Sequence, residues 1–388
     1  MKQKILLLGG SHRDIPLIKA AKELGFFVIT LGDRAYYIGH QYADQYYQIN
    51  FNDTKKVQEI IKREKIAYLI PGCGEESYLQ TVALSHEIGR GNFDTLQAAK
   101  LIHNKWALKN FCLEHNISTP KGFLYTDVED IKTLKFPIVV KPTNLSGGRG
   151  VEVVHNEKEL QRSLQEAQKI SSEIFLEEYI EGKLIAYSVF IKDQKIAYGF
   201  SGEDRSYLNP YLVTTAYPVN IAPKIIKKLQ NDIEKLCNIL QLVDGMFHLQ
   251  VLIQNDIPYI IDVTRRIPGD LYPWLIEKCD GIAYSKAVIK AYIGEQISDE
   301  LQRHNSSNFV IRHCVMPSEN GFYKEIQIDP SLQDKILYRL DLLKQSTAVT
   351  DYLHTQIAIF FIELEHQDMQ LVNNLNTLIT PLVTQETH

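Results

Sequence analysis

The chain has 388 residues, enough for two or three domains that each bury their own core. With 45% hydrophobic and 23% charged residues, a net charge of −5 and a pI near 6.2, it has the composition of a soluble globular protein. No global basic field points to nucleic acid or an anionic membrane as a partner.

Five widely spaced cysteines (Cys73, Cys112, Cys237, Cys279 and Cys314) without a CxxC pair argue against a disulfide framework or a zinc site. Neither a signal-peptide core nor an apolar run of about 18 residues is found. The expectation is a cytoplasmic protein with no membrane contact.

In chain order, Ile5–Leu8 is expected to be a buried strand ending at the turn Gly9-Gly10. Asp14 reads as the N-cap of a helix with Pro16 in its first turn and Gly25 as its stop. A strand over Phe26–Leu31, a helix over Val57–Glu64 and a strand over Ile66–Ile70 continue the alternation, which predicts a Rossmann-like, doubly wound parallel sheet. Ligands of such sheets lie beyond the carboxyl ends of the strands, so the loops Gly9–Asp14, Asp33 and Gly74–Glu76 are candidates for a small-molecule site. Gly9–Asp14 lacks the third glycine of GxGxxG, and although Asp33 stands where a ribose-binding acid would, a turn with a cap is favoured over a dinucleotide loop.

Leu101–His115 is predicted as one helix with Lys105 and Lys109 a turn apart, broken before Pro120. Phe136–Pro142 is an apolar strand that ends on Lys141, which aims a cation into a cleft. Next comes Ser146-Gly147-Gly148-Arg149-Gly150, whose glycines let backbone N–H groups approach phosphate oxygens while Ser146 and Arg149 add donors. No GK[ST] ends it, so it is not a Walker A loop. A helix over Glu157–Ala167 and a strand over Ile174–Ile180 carrying Glu177 and Glu178 follow, then a hairpin of Ala186–Ile191 and Lys195–Phe200. Gly202–Tyr207 reads as a charged loop in which Arg205 is a candidate for holding a substrate carboxylate.

After a helix over Pro223–Leu240, two strands, Met246–Ile253 and Tyr259–Val263, are joined by the turn Gln254-Asn255-Asp256. Strand alternation puts His248 and Gln250 on one face, and Ile260, Asp262 and Thr264 on another. If the two faces coincide, His248, Gln250, Asp262, Thr264, Arg265 and Arg266 form a polar surface where a half-buried hairpin would show apolar residues, which points to a bound ligand. Trp274–Ile293 reads as helix, loop, helix. Phe309–Met316 and Tyr323–Ile328 are strands opening a small C-terminal α+β lobe, with Ile357–Leu364 as its edge or closing strand.

In sequence order, His103–Trp106, Lys141-Pro142 with Ser146–Val151, Glu177–Gly182, Phe247–Gln250 and Ile261–Arg266 together resemble an ATP-grasp enzyme, most similar to the carbamoyl-phosphate-synthase-like and amino-acid-ligase-like carboxylate–amine ligases. The resemblance implies a Rossmann-like domain over residues 1–100, a two-lobed ATP-grasp domain over 101–300 (lobes about 101–175 and 176–300) and a C-terminal α+β lobe over 301–388. Carried over residue by residue, it assigns Lys105 and Lys141 to ATP phosphates, Ser146, Gly147, Gly148, Arg149 and Gly150 to a lid over them, and Glu177, Glu178, Tyr179 and Ile180 to adenine. Arg266 and Lys141 are the catalytic candidates. Asp262, Gln250 and Thr264 stand at the magnesium positions, with manganese as the alternative ion. Glu75, Arg205, His248, Arg265 and Gly269 are substrate candidates.

The activity implied is ATP-dependent activation of a small-molecule carboxylate as an acyl phosphate, attacked by an amine or similar nucleophile with release of ADP and phosphate. This sequence departs from the family at Gln250 and Asp262, where glutamates are usual, at Thr264, usually asparagine, and in lacking the ribose-binding acid within Lys183–Val189. Those departures keep two alternatives open: an ATP-binding regulatory protein with a degraded metal site, and a biotin-carboxylase-like subunit with a separate carrier, there being no Met-Lys-Met biotin motif. A homodimer is the default assembly.

Overall fold

The computed structural model describes residues 2–126, 134–143, 150–303 and 309–385. Its first unit is a parallel sheet of order β3-β2-β1-β4, from β1 (Lys4–Leu8), β2 (Phe27–Gly32), β3 (Gln45–Gln48) and β4 (Tyr68–Pro71), with helices α1 (Ile15–Glu23) and α2 (Thr54–Glu64) as crossovers and α3 (Glu75–Ile88) following β4. Continuous apolar runs such as Ile5–Leu8, all fully buried, suit strands covered on both faces. β3 has no counterpart in the sequence expectation because Gln45–Gln48 alternates polar and aromatic residues at the sheet edge.

Asp14 does not cap α1. Ser11 caps a short 3-10 turn at His12–Asp14, and the buried Asp14 carboxylate turns back to accept from the N–H groups of Gly10 and Ser11, both at 2.8 Å, and of Cys73 at 2.7 Å. Those amides are thereby committed to tying the β1 and β4 loops together, which bears out a turn rather than a pyrophosphate cradle. Gly10 is required there: its φ is +154°, and a Cβ would enter the ring of His40.

The helix expected over Leu101–His115 is two. α4 (Leu96–His103) ends at Asn104, which adopts an extended φ/ψ and caps α5 (Lys105–Glu114) by accepting from Ala107 N at 2.9 Å. An antiparallel sheet of order β5-β8-β6-β7 follows, built from β5 (Gly122–Leu124), β6 (Ile138–Pro142), β7 (Glu152–Val154) and β8 (Ile174–Glu178), with α6 (Glu157–Gln168) burying Leu160, Leu164 and Ala167 against it.

The large sheet begins with β9 (Lys183–Lys192), β10 (Lys195–Arg205) and β11 (Thr215–Pro218), then, after α7 (Pro223–Leu240), β12 (Gly245–Gln254) and β13 (Ile257–Thr264). Beyond α8 (Tyr272–Asp280) and α9 (Tyr284–Ile293) come β14 (Phe309–Val315), β15 (Gly321–Ile328), β16 (Ile336–Asp341), β17 (Ala348–Val349), β18 (Ala358–Leu364), α10 (Met369–Leu378) and β19 (Ile379–Thr384). The order of the eight-stranded sheet is β13-β12-β9-β10-β11-β14-β18-β16, and a separate three-stranded sheet runs β17-β15-β19.

Three expectations change here. Gly202–Arg205 is strand rather than loop, because its backbone pairs with β9 on one side and β11 on the other. β18 is interior, and β16 is the edge. The boundary near residue 300 does not fall at a break in the sheet, since β14, β18 and β16 extend the sheet that β9–β13 begin. One core also joins the N-terminal unit to the helices after β13: Ile5, Leu7 and Ile70 pack with Leu275, Val288 and Ile289 of α8 and α9.

Candidate active site

A cavity of about 680 Å3 opens between the β5–β8 sheet and the β9–β13 end of the large sheet. One part of its wall is apolar, from Val139, Val151, Val153, Ile180, Leu184, Leu252 and Ile261. Lys105, Lys141 and Glu177 lie on the small-sheet side, Gln250 and Asp262 on the facing hairpin, and Asp204, His248, Asp270, Tyr272 and Arg312 line a further part.

The hairpin register fixes the polar face. His248 is opposite Thr264 and Gln250 opposite Asp262, so the two strand faces coincide as expected. Asn255 and Asp256, both at positive φ, make the two-residue turn. A bulge then breaks the register, and Val251 pairs with Ile260. Ile260 therefore joins Val251 and Val263 in the core, while the extra residue Ile261 lines the cavity beside Asp262. Period-two alternation, which grouped Ile260 with Asp262, does not survive the bulge.

The other sequence candidates sort by partner. Lys141 and Lys109 both ion-pair with the buried carboxylate of Glu177. Burial raises the Glu177 pKa, but Lys141 and Lys109 outweigh it and leave the group at about 2. Glu177 is thus occupied by two ammonium groups rather than presented to a base, which sits poorly with adenine contact. Glu178 accepts from Lys121 N at 2.9 Å and, with Tyr179 and Ile180, lines the cavity. Gly150 is described, whereas Ser146, Gly147, Gly148 and Arg149 lie outside the described residues.

His248 is buried, shares a 2.7 Å hydrogen bond between Nδ1 and Ser188 Oγ, and is held neutral: burial, then Arg266 and Arg312, push its pKa down to about 3. Thr264 accepts from Arg266 N at 3.2 Å and does not line the cavity, so it stands apart from Gln250 and Asp262. Arg266 turns toward the N-terminal unit, with Nη1 on Ile267 O at 3.0 Å and near Cys73 Sγ at 3.6 Å, and its buried Nε has no partner among the described residues. Glu75, at the start of α3, faces the same region: its pKa is raised by burial and by Asp262, against the opposing pull of Arg266 and Lys105.

Two substrate candidates are placed elsewhere. Arg265 is buried in a bidentate pair with Asp94 (Nε–Oδ2 2.8 Å, Nη2–Oδ1 3.1 Å) and also donates to Met246 O and Val243 O, pointing away from the face that carries Asp262. Arg205 pairs with Glu203 at 2.8 Å and with Asn373, because strand alternation turns it away from its neighbour Asp204, which faces the cavity. Gly269 does line the cavity.

Sequence reasoning noted Lys109 beside Lys105, and Asp270 in the loop after Arg266, without giving either a role in the site, and it missed Asp204 and Arg312. Only a charged residue inside an apolar strand, as Arg312 is in Phe309–Val315, was a usable signal.

The family model described as D-ala D-ala ligase C-terminus matches residues 116–270. The carbamoyl phosphate synthase large chain of Clostridium acetobutylicum is 22% identical over 332 residues, spanning 81% of this chain and 31% of that protein. The crystal structure of the L-amino acid ligase from Bacillus licheniformis superposes with a TM-score of 0.84 at 14% identity over 99% of both chains. That of phosphoribosylglycinamide synthetase from Anaerococcus prevotii superposes with a TM-score of 0.79 at 19% identity, covering 99% of this chain and 100% of that one. Residues 116–270 thus match that ligase family, and the fold of the whole chain is that of the two ligase structures. The chain spans less than two thirds of the length of the first curated relatives it matches, 31%, 60% and 48%.

Proposed function

We propose that this protein is an ATP-dependent ligase that activates a small-molecule carboxylate as an acyl phosphate for attack by an amine, releasing ADP and phosphate. The observation that carries this reading is the arrangement of one cavity, with an apolar slot, two lysines on one wall and Asp262 on the facing wall. The slot suits a purine ring. Lys105 and Lys141 suit the phosphates, with Glu177 fixing the Lys141 ammonium in place.

The donor set fits one divalent cation. Among the described residues no group of three or more His, Cys, Asp or Glu could hold a metal, but magnesium ordinarily takes one or two carboxylates together with substrate phosphates and waters. Asp262 would supply a carboxylate and Gln250 a carbonyl. The negative charge of Asp262 adds to the upward shift of Glu75, a repulsion that a cation between them would relieve. A bound magnesium or manganese ion would supply charge neutralisation of the transferring phosphoryl group.

In the reaction, a carboxylate oxygen of the substrate attacks the γ-phosphorus, and the bond to the β–γ bridging oxygen breaks to give ADP. The amine nitrogen then attacks the acyl carbon, the carbon–oxygen bond to phosphate breaks, and the amine proton leaves to solvent or a nearby base. Arg266, with its Nε unpartnered among the described residues, is assigned to the charge that develops on the phosphoryl oxygens. Neutral His248 acts in binding rather than as a cation. Five free thiols are consistent with a cytoplasmic enzyme, and among the described residues no helix is long and apolar enough to cross a membrane.

A screen for ADP release over small carboxylates and amino acids, with and without amine acceptors, tests the proposal. ADP release that requires a carboxylate supports it, and release of AMP overturns it.

A further inference from the structure

The cavity extends past Gln250 and Asp262 to a second cluster of charges that the phosphoryl-transfer site does not use. Asp204 ends β10 and Arg312 lies in β14, with β11 between them. The register places Asp204 opposite Ala216 and Ala216 opposite Arg312, so all three share one face of the sheet. The α-carbons of Asp204 and Arg312 are therefore two strand spacings apart, roughly 9–10 Å. The methyl of Ala216 is all that rises between them.

Both charged groups are buried, at 7% and 2% exposure, and both line the cavity. Among the described residues Asp204 Oδ1 has no hydrogen-bond partner, and neither have Arg312 Nε and Nη2. The contacts of Arg312 Nη1 are long, 3.5 Å to Asp270 O, 3.6 Å to Asp270 Oδ2 and 3.7 Å to Cys314 Sγ. Among the described residues no ion pair joins Asp204 to Arg312.

Asp270, the other acid here, accepts from Gln356 at 3.0 Å and is ion-paired with Arg13 at 3.3 Å and, more loosely, with Arg312 at 3.6 Å, with His12 also at 3.6 Å. Arg312 reaches Asp270 only through Nη1, so its Nε and Nη2 and Asp204 Oδ1 face each other across a gap with their hydrogen-bonding capacity unused among the described residues. Buried charges are costly unless paired, so this geometry calls for a ligand that answers each. The Tyr272 hydroxyl, also without a partner among the described residues, lies over Gly202 beside the gap. It can approach because Gly202, two residues before Asp204 on the same face, has no side chain to obstruct it.

We propose that Asp204 and Arg312 form a subsite for a zwitterion of the α-amino acid type, its ammonium on Asp204 and its carboxylate on Arg312, with Tyr272 donating to the same carboxylate. This inference rests on the ligase reading, in which the subsite holds a co-substrate beside the phosphate end of the cavity. Burial raises the Asp204 pKa to about 7 against the opposing pull of Arg312, so a bound ammonium also supplies the charge that holds this acid ionised. A guanidinium offers planar bidentate donation to a carboxylate, a geometry that a lysine would not reproduce.

The test uses the full-length wild-type protein saturated with a non-hydrolysable ATP analogue, with nucleotide binding measured first. Calorimetric titration then compares free amino acids with their methyl esters, their des-amino acids and the amines left on decarboxylation. At least one amino acid is expected to bind ten or more times more tightly than each of its three analogues. Asp204→Asn is expected to remove the preference for the amino acid over the des-amino acid, and Arg312→Lys the preference over the ester. Equal binding of an amino acid and its des-amino analogue overturns the subsite, as does binding by no zwitterion when the nucleotide binds. Failure of the nucleotide itself to bind strikes the ligase reading instead. The wild-type panel decides the matter even if neither variant folds.

Discussion

Glu177 and Lys141 are ion-paired across the β6–β8 ladder, where Glu177 sits opposite Val139 and so on the same face as Lys141, two residues further on. Lys109 occupies the other carboxylate oxygen from α5. Glu177→Gln leaves two ammonium groups facing each other with one of them fully buried. A loss of about 3–5 kcal/mol in stability is expected, together with weaker nucleotide binding, from denaturant unfolding and nucleotide titration. Unchanged nucleotide affinity would remove Lys141 from the phosphate site.

The same carboxylate has an acid signature. Its folded pKa of about 2 lies below the ordinary carboxylate value of 4.5, so its contribution to stability is complete above about pH 4.5 and is lost as pH falls toward 2. Glu177→Gln should flatten that part of the stability profile; an unchanged slope there would contradict the pairing.

Much of the fold was legible because its signals are local. Ile5–Leu8, Pro223–Leu240 and the strand pair ending at Val263 announce themselves by apolar runs, period and turn residues. What escaped is set by tertiary pairing. Glu203 and Asp204 look like loop residues until β9 and β11 close on their backbone, and Asn104 divides a helix whose apolar pattern runs on past it. In the candidate site, Gln250 and Asp262 were readable from alternation. Arg265 was not: its partner Asp94 is 171 residues away, and nothing local distinguishes it from Arg266.

Three histidines are buried neutral. Burial is the largest cause in each case, and Arg312 or Arg266 adds to it, so that His103, His248 and His313 all fall to about 3 from an ordinary value of 6.5. Unfolding lets them take up protons, so stability should be full above about pH 6.5 and decline as pH falls toward 3, by at most about 2 kcal/mol per histidine at pH 5. Urea unfolding at pH 7.5 and pH 5 reads this directly, and a flat profile would contradict it.

Adjacent arginines should separate cleanly. Arg265→Ala orphans the buried Asp94 and is expected to cost about 3–5 kcal/mol of stability. Arg266→Ala is expected to leave the melting temperature within a few degrees, keep ATP affinity nearly intact and abolish product formation. Loss of ATP binding in Arg266→Ala would reassign that residue.

Gln250 is where this chain departs most from a two-carboxylate metal site. Asp262→Asn should raise the magnesium concentration needed for half-maximal ADP release by tenfold or more, and Gln250→Glu should lower it. A Gln250→Glu variant that gains turnover where the wild type has none would favour the binding-only alternative.

The central claim is that a substrate carboxylate passes through an acyl phosphate. It is tested most directly by supplying the active carboxylate labelled with oxygen-18 and examining the phosphate released in the complete reaction. Attack of a carboxylate oxygen on the γ-phosphorus predicts one labelled oxygen in each phosphate, with ADP as the nucleotide product. Unlabelled phosphate, or AMP in place of ADP, would contradict it.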